Sequence, residues 1–304
     1  MVTPDQKRQG AAHLQEMVLV GRAKPLSQRR ATRVVGLARA TLRHQSTQPV
    51  KDGPIQNQMF HLSQTHPRFG YRRIHALLCR TGTGMGTGMG MGTGMGTGPL
   101  NIKRVHRLWK AMARQVPARK KRRARATRES QRAPQQALYP GQVWSYDFVH
   151  DKCRSGAKLK LLCVNDEFTR QCLAIEVGAS LTSQDVQRVL EGLFHSQGAP
   201  AFLRSDNGPE FVQSDLKRWL QEQNVQTLYI EPGSPWQNGK SESMHGKLRD
   251  ECLDRELFHS RTQARVLIEN YRQDFNSHRP HSALGYQTPN EVALNWKLNQ
   301  QTLT

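Results

Sequence analysis

Three acidic residues in the second half of this sequence have types and positions that could support metal chemistry: Asp147, Asp206 and Glu242. Asp147 lies inside the apolar segment VWSYDFV, where burying a carboxylate is costly unless a cation or a hydrogen-bond donor accompanies it. Asp206 ends the segment PAFLRSD, and Glu242 lies on a helix entered through PGSPWQNGKSES. Taken singly, Asp206 is explained by an Asp-Asn-Gly turn and Glu242 by an exposed helical position.

These three carboxylates would concentrate negative charge if they lay close together, and that charge determines which chemistry they could support. If the strands carrying Asp147 and Asp206 are neighbours, both residues point into one crevice, and the helix with Glu242 can cross the same edge. Three convergent carboxylates cannot all be ionised without cations, and ligation by oxygen alone favours Mg²⁺ or Mn²⁺ over zinc. Two such ions about 3.5–4 Å apart are suited to phosphodiester displacement.

The segments around these residues predict an α/β domain. Apolar runs predict strands at 143–149, 158–166, 171–177, 200–206 and 225–231. Helical periodicity predicts helices at 182–198, 213–224, 238–254 and 259–276. The first of these helices has an apolar face made of Val186, Val189, Leu190, Leu193 and Phe194. Three strands followed by alternating helices and strands predict helices packed around one mixed sheet.

The distribution of charge predicts a polyanionic partner, most simply nucleic acid. The 304-residue chain has 45 Lys and Arg against 24 Asp and Glu, a formal net charge of +21. Residues 1–140 carry a net charge of +23, and residues 141–304 carry −2. Such asymmetry is typical of a nucleic-acid-binding arm joined to another domain. A solvated basic tail is the alternative, but helical patterning runs through the basic half.

The first part of the basic half has the outline of a helix-turn-helix. In residues 27–43, SQRRATRVVGLARATLR, two short helical patterns are separated by Gly36. The second helix would present Arg39 and Thr41 to a DNA major groove. A plain pair of antiparallel helices has the same pattern and remains open.

A second helical unit is predicted over residues 58–112. HPRFGYRRIHALL (66–78) and NIKRVHRLWKAM (101–112) both have apolar stripes at helical spacing. The basic residues of this unit that we single out as DNA contacts are Arg72, Arg73, Lys103 and Arg104.

Two segments of biased composition interrupt and follow that unit. Residues 81–98 alternate Gly with Thr or Met, which predicts a loop, because such a segment buries too little surface to offset the entropy of ordering. A Met-rich ligand or metal site is the sharper alternative. Residues 113–140 form a basic linker that we expect to lie along DNA phosphates through Lys120, Lys121, Arg122 and Arg123.

Several classes of protein are disfavoured by the remaining composition. The five cysteines are odd in number and contain no C-x-x-C pair, which fits reduced thiols better than a disulfide scaffold or a zinc ribbon. No apolar run approaches the ~18 residues that a membrane span requires. The N-terminal segment lacks the apolar core of a secretory signal. We therefore expect a cytoplasmic protein, associated with the bacterial nucleoid.

The sequence resembles the second-reading-frame (OrfB) transposases of the insertion-sequence-three family, which are relatives of retroviral integrases. The resemblance runs over about residues 27–290, apart from the insert at 81–98. The segments that carry it are HPRFGYRRIHALL, KRVHRL, WSYDFVHD, DEFTR, SDNGPEF, PGSPWQNGKSES, GKLRDECL and NSHRPHSALGYQTP. Asp206 and Glu242 are separated by 35 residues, which matches the D-D-35-E arrangement of the family.

The resemblance implies a ribonuclease-H-like catalytic domain that cleaves DNA at the terminal inverted repeats of its element and transfers the strands to new DNA. Asp147, Asp206 and Glu242 would be the catalytic residues and the ligands of Mg²⁺ (or Mn²⁺), with two ions expected. Gln237 and Asn238 would lie in the loop over the active site and contact DNA.

The resemblance also implies that basic residues on the helix after Glu242 contact DNA. Arg249 is seven residues later and is a candidate contact to a DNA phosphate, with a surface salt bridge as the alternative. Relatives commonly have a basic residue four positions after the glutamate, where this chain has Gly246. Lys247 and His245 could compensate, and Lys247 is counted among the expected DNA contacts.

We accordingly expect a helix-turn-helix-like region over 1–57, a second helical DNA-binding unit over 58–112, a basic linker over 113–140, an integrase-type core over 141–295 and a tail over 296–304. The expected partners are double-stranded DNA (element ends and target), further copies of the chain, and the product of an upstream frame (OrfA), free or fused. A DNA-binding regulator or decayed copy without catalysis, and a structure-selective nuclease on the same fold, are the alternatives.

Overall fold

A computed structural model of the chain describes residues 3–16, 25–44, 48–80, 100–116, 136–206, 208, 213–230 and 239–302. The insert at 81–98 and most of the basic linker lie outside these ranges. The chain divides into two compact units, Met1–Gln58 and Met59–Thr304. None of the helices in the described ranges is long and apolar enough to cross a membrane.

The first unit is helical. Its helices are α1 (Pro4–Glu16), α2 (Gln28–Val34), α3 (Arg39–Arg43) and the beginning of α4 (Gln48–Thr65). Gly36, in the turn between α2 and α3, has a φ of +62°, a conformation that glycine adopts without the steric cost of a side chain. The Arg8 guanidinium donates a hydrogen bond to the backbone carbonyl of Thr41 at 3.1 Å, which ties α1 to α3. The two helices and the turn predicted within 27–43 are therefore present, and their role in binding DNA stays a prediction.

The second unit begins with helices that bury an apolar stripe. After α4 come α5 (Tyr71–Arg80) and α6 (Ile102–Ala111), which pack on each other through Ile74, Leu78, Val105, Leu108 and Trp109. The predicted helix at 66–78 begins five residues late, because Pro67 and Gly70 disfavour helix. The side chain of Asn101 accepts a hydrogen bond from the backbone of Lys103 at 2.8 Å and caps α6.

A mixed five-stranded sheet forms the centre of the second unit. Its strands are β1 (Val143–Lys152), β2 (Lys158–Asp166), β3 (Cys172–Gly178), β4 (Phe202–Ser205) and β5 (Gln226–Tyr229). The strand order is β3-β2-β1-β4-β5. β1 pairs antiparallel with β2 and parallel with β4, while β3 is antiparallel to β2 and β5 is parallel to β4. All five predicted strands, and the predicted mixed sheet, are confirmed.

Helices cover both faces of the sheet. The remaining helical elements are α7 (Ser183–Gln197), α8 (Ser214–Glu222), α9 (Gly239–Leu248), a π-helical turn (Arg249–Leu253), α10 (Arg261–Ser277), a 3₁₀ turn (Ser282–Leu284) and α11 (Pro289–Thr302). Side chains alternate along β1, so Trp144 and Tyr146 pack with α7 and α8, whereas Val149 packs with α9 and α10. The predicted apolar face of α7 is confirmed, with Val186 and Leu190 fully buried.

A buried carboxylate holds the beginning of α9 to the sheet. Glu167, in the turn after β2, is 4% exposed and accepts a hydrogen bond from Arg204 of β4 at 2.7 Å. Its other oxygen accepts from the ammonium of Lys240 at 2.9 Å. Arg204 lies two residues before Asp206, and Lys240 two residues before Glu242. The Glu167 carboxylate thus joins the two chain segments that carry predicted active-site residues.

A second charge cluster holds the other end of α9. Glu251, in the π-helical turn, receives two hydrogen bonds from the buried Arg279, at 2.6 and 2.5 Å. The guanidinium of Arg73, at the start of α5, lies 3.3 Å from the same carboxylate. Beside them, Arg68 is paired with Asp250. Charge pairs therefore fix the segment around α5 against the turn that follows α9.

We expect Glu167→Gln to destabilise the protein strongly. The substitution keeps the volume of the side chain but removes the negative charge that contacts the buried guanidinium of Arg204 at 2.7 Å, and breaking a buried pair in this way costs about 3–5 kcal/mol. Urea unfolding followed by tryptophan fluorescence measures the loss. The exposed Glu191 on α7 provides the control, since Glu191→Gln should change the stability by less than about 0.5 kcal/mol. Equal unfolding midpoints for the two variants would contradict this account of Glu167.

Candidate active site

Asp147 occupies a protected position on the central strand β1. Its backbone pairs with Cys163 of β2, and its side chain is 17% exposed. One carboxylate oxygen accepts a hydrogen bond from the backbone N–H of Phe148 at 2.7 Å. Residues alternate in direction along a strand, so Asp147 shares a face with Val149, the face covered by α9 and α10.

Asp206 follows the parallel neighbour of β1. β1 and β4 are in register at Ser145 and Arg204, so Asp147, in the middle of β1, and Asp206, just after the end of β4, each stand two residues beyond this paired position. Asp206 is exposed, and its carboxylate accepts a hydrogen bond from the backbone N–H of Gly208 at 3.0 Å. The predicted pairing of the two strands is therefore confirmed, while Asn207, the middle residue of the Asp-Asn-Gly segment, lies outside the described residues.

Glu242 lies in the first turn of α9, which packs against β1. The Glu242 side chain is exposed. His245, three residues later, lies on the same side of the helix, and its Nδ1 atom is 3.7 Å from a carboxylate oxygen of Asp147. The side of α9 that carries Glu242 is consequently the side turned towards Asp147.

His245 is electrically neutral at physiological pH. Burial, with a smaller contribution from the positive charge of Arg249, lowers the pKa of His245 to about 4. The close approach to Asp147 is therefore a contact with a neutral imidazole and not an ion pair. The Nε2 atom of His245 is buried and has no hydrogen-bond partner among the described residues.

The structure brings the three predicted ligands to one region but does not close a metal site. In the ranges that the structure describes, no group of three or more His, Cys, Asp or Glu side chains lies close enough to hold a metal ion. Asp206 and Glu242 are exposed, and Asp147 lies on the face of the sheet that α9 covers. All three offer oxygen ligands of the kind that Mg²⁺ and Mn²⁺ prefer. The donor chemistry fits these ions.

The basic residues predicted along α9 and its continuation lie on different sides. The Arg249 guanidinium donates a hydrogen bond to the backbone carbonyl of His150 on β1 at 3.0 Å, and no ion pair of Arg249 occurs within the described part of the chain. Lys247 is half-buried on the side of α9 opposite to Glu242.

The basic residues predicted in the second helical unit divide between solvent and protein. Arg72 is exposed, with its guanidinium 5.2 Å from the ring centre of Tyr71, and Lys103 is also exposed. Arg73, the next residue after Arg72, is engaged with Glu251. Arg104 is half-buried. In the first unit, Arg39 is exposed and Thr41 half-buried.

The other predicted DNA contacts lie outside the described residues. They are Lys120, Lys121, Arg122 and Arg123 of the linker, and Gln237 and Asn238 of the loop before α9.

Local sequence pattern does not predict the charge pairs that position the site. In the sequence, Glu167 is part of the segment DEFTR and Lys240 is part of the segment that enters α9, and neither segment indicates that the two residues are partners. The available signal was a second carboxylate directly after Asp166 at the end of an apolar strand, a place where a buried acid requires a cation.

Comparison with known proteins identifies the family. Two sequence profiles described as "Integrase core domain" match residues 137–235 and 223–289. The chain is 34% identical over 299 residues to an uncharacterized 39.2 kDa protein of insertion element IS476 from Xanthomonas euvesicatoria, covering 98% of this chain and 80% of that protein. It is 37% identical over 268 residues to an uncharacterized 31.7 kDa protein of insertion element IS407 from Burkholderia multivorans, covering 88% and 91%.

Among solved structures, the chain is similar to the catalytic core domain of HTLV-2 integrase in complex with magnesium, with 17% identity and a TM-score of 0.41 over 52% of this chain and 99% of that domain. The expected fold class, a ribonuclease-H-like α/β domain preceded by helices, is confirmed by the integrase-core match and the mixed sheet. Relatives more than 30% identical cover most of this chain, and the chain therefore belongs to the DDE transposases of insertion elements, in the retroviral-integrase-like superfamily.

Proposed function

We propose that this transposase cleaves DNA at the ends of its insertion element and transfers the strands to target DNA, using Asp147, Asp206 and Glu242. One observation carries the proposal: Asp147 and Asp206 each stand two residues beyond the same paired position of the adjacent parallel strands β1 and β4, and the Glu242 side of α9 is turned towards Asp147. The spacing of 35 residues between Asp206 and Glu242 supports it.

The three carboxylates would hold two Mg²⁺ or Mn²⁺ ions. Bound there, such ions supply an activated attacking oxygen and stabilise the leaving 3′ oxygen of the DNA strand. Asp147 would provide a fixed ligand, because β1 and the hydrogen bond from Phe148 hold its carboxylate. Asp206 and Glu242 would supply further oxygen ligands from exposed positions. The neutral His245 adds no charge of its own beside Asp147.

DNA binding is assigned to the basic half. The net charge of +23 over residues 1–140 supports a contact with many phosphates, whose affinity depends on salt. Exposed basic residues such as Arg39, Arg72 and Lys103 are available for it. We further infer that the active form is an oligomer on paired ends, with the product of an upstream frame as an additional partner, as the insertion-sequence-three resemblance implies.

A non-catalytic DNA-binding regulator is the second candidate. The observation that favours it is the exposed position of Asp206 and Glu242, which do not meet Asp147 in a closed cluster among the described residues. Both functions use the basic half to bind DNA. They differ in whether the three carboxylates are required to form cleaved or joined DNA.

We expect Asp206→Asn to abolish cleavage and leave DNA binding unchanged. The substitution removes one negative charge and one metal-binding oxygen from an exposed position, so the fold should not be affected. The measurement uses labelled DNA with the end of the element, incubated with the protein and Mg²⁺ or EDTA, and scores nicked and joined products on denaturing gels. A parallel filter-binding assay measures affinity.

Asp215→Asn is the matched control, because Asp215 is also an exposed aspartate of the same domain and pairs with Arg218 on α8, away from the carboxylate site. It should cleave like the unchanged protein. Cleavage that survives Asp206→Asn or EDTA would exclude the proposed site. Binding without cleavage by any form, including a fusion with the upstream frame, would favour the regulator. Cleavage that needs no terminal sequence and gives no joined product would indicate a structure-selective nuclease.

Two neighbouring arginines of α5 should behave differently in DNA binding. Arg72→Gln removes an exposed charge, so we expect weaker DNA binding and a salt dependence, log K against log salt, that is shallower by about 1. Arg73→Gln removes a partner of Glu251, so we expect a loss of stability of about 1–2 kcal/mol and a smaller effect on the salt slope. Fluorescence anisotropy at several salt concentrations, with urea unfolding, checks both. A larger change of the salt slope for Arg73→Gln than for Arg72→Gln, with unchanged stability, would show that Arg73 leaves Glu251 to contact DNA.

A further inference from the structure

α9 separates the predicted catalytic residues from a cavity on its other side. The cavity has a volume of about 210 Å³ and lies between α9, β1 and the turn after β2. With 3.6 residues per helical turn, Lys240 and Lys247 project from one side of α9, and Glu242 and His245 from the opposite side. The cavity is thus distinct from the carboxylate site and next to it.

Buried polar groups in the cavity wall have no partner. The hydroxyl of Ser145, which is 1% exposed, makes no hydrogen bond with any described residue. Asn165 is 7% exposed, and neither its amide nitrogen nor its amide oxygen has a partner in the described part of the chain. Buried polar groups are almost always satisfied, so these two residues indicate that something polar occupies the cavity.

Two cations in the cavity wall make no ion pair at contact distance with a described residue, although Glu167 and Asp166 attract Arg170, and Glu251 attracts Lys247, from further away. Arg170 and Lys247 are both half-buried in its wall, and within the described residues neither has a carboxylate at ion-pair distance. Burial and the positive charges of Arg279 and Arg170 lower the pKa of Lys247 to about 8. Two cations therefore repel each other in a partly desolvated space, an arrangement that an anion would relieve.

The carboxylates that border the cavity are already engaged. Glu167 is shared between Arg204 and Lys240. Asp166 accepts hydrogen bonds from the backbone of Thr169 at 2.8 Å and of Gly141 at 3.0 Å, so it is held in the turn after β2. Neither is placed to neutralise Arg170 and Lys247 as an ion pair.

We propose that this cavity is a phosphate-binding site that receives a phosphate group of a DNA strand. The hydroxyl of Ser145, the amide N–H of Asn165, the guanidinium of Arg170 and the ammonium of Lys247 are four donors, two of them charged, and this set suits phosphate oxygens. A hydrated cavity would satisfy the hydroxyl and the amide but would leave the two cations without an anion in direct contact. The inference that an anion binds here is independent of the proposed function. Only the identification of DNA as the source of the phosphate rests on that function.

Protection of Lys247 from acylation tests the site directly. The full-length protein in EDTA is treated with a limiting amine-acylating reagent near pH 7.5, with or without sodium phosphate and with sodium chloride at matched ionic strength, and modified lysines are measured by mass spectrometry. An anion beside Lys247 should raise the pKa of its amine, and a rise of one unit lowers the reactive fraction by about eightfold at this pH. The exposed Lys158 is the internal control and should be unaffected.

Variants show whether the protection comes from the cavity. Arg170→Gln should remove the protection of Lys247 by phosphate, and Arg170→Lys should restore part of it. Arg188→Gln, which alters an exposed arginine on α7, should leave it unchanged. Because Arg170 has a φ of +63°, its variants must first show unchanged thermal unfolding. If they do not, Asn165→Asp serves instead, since its added negative charge should repel phosphate and abolish protection.

The same protection experiment with DNA in place of free phosphate identifies the source of the phosphate. A double-stranded oligonucleotide should protect Lys247 at far lower concentration than free phosphate, and Lys247→Gln should reduce the salt slope of DNA binding by about 1. Protection by free phosphate without protection by DNA would overturn the DNA assignment. No protection by either would overturn the site. The assay involves no cleavage, so Asp206→Asn should give the same protection as the unchanged protein, and failure of the catalytic proposal would be seen separately.

Discussion

The position of α9 is the constraint on which the rest of the active region depends. This helix has ten residues, and only Ser241, Met244 and Leu248 are buried, so apolar packing alone gives it a weak attachment to the sheet. Charge pairs supply the rest. Lys240 binds the buried Glu167 at the beginning of the helix, and Glu251 binds Arg279 and Arg73 beyond its end. A shift of α9 would separate these charges in a partly buried environment, where an unpaired charge is expensive. The helix that carries Glu242 is thereby held in one place.

The same pairs make the helical segment before the sheet part of the catalytic domain. Arg73 and Arg68 come from a region whose sequence reads as a basic DNA-binding arm, yet both are directed at acidic residues of the turn after α9. Net charge over residues 1–140 therefore overstates the charge available to DNA. Adjacent residues on α5 serve different purposes, because neighbours on a helix project about 100° apart. Arg72 faces solvent, and Arg73 faces the protein.

Local pattern was sufficient for the strands and helices, and insufficient for the contacts that arrange them. The apolar runs at 158–166 and 171–177 and the apolar face of α7 are properties of neighbouring residues, and all were predicted. The pairing of β1 with β4 could only be assumed from the sequence, because it depends on residues far apart in the chain. The partners of Glu167 are 37 and 73 residues away, a separation at which sequence spacing carries no information. The predicted helix at 238–254 becomes α9 and a π-helical turn, in which Asp250 and Glu251 meet their arginines.

The geometry of α9 also decides which residue can compensate for Gly246. The resemblance described above implies a basic residue four positions after the glutamate, on the side of the helix that carries Glu242. Lys247 is one position further, which turns it about 100° away and into the cavity on the other side. His245 does face Asp147, but burial keeps it neutral, so it cannot act as a cation towards a phosphate. Arg249 alone among these residues combines a permanent charge with the Glu242 side of the helix, and its hydrogen bond to the carbonyl of His150 holds it beside β1. Positive charge near α9 is thus divided, with Arg249 on the side of Glu242 and Lys247 on the side of the cavity. A DNA strand that crosses this helix would meet a cation on either side of it.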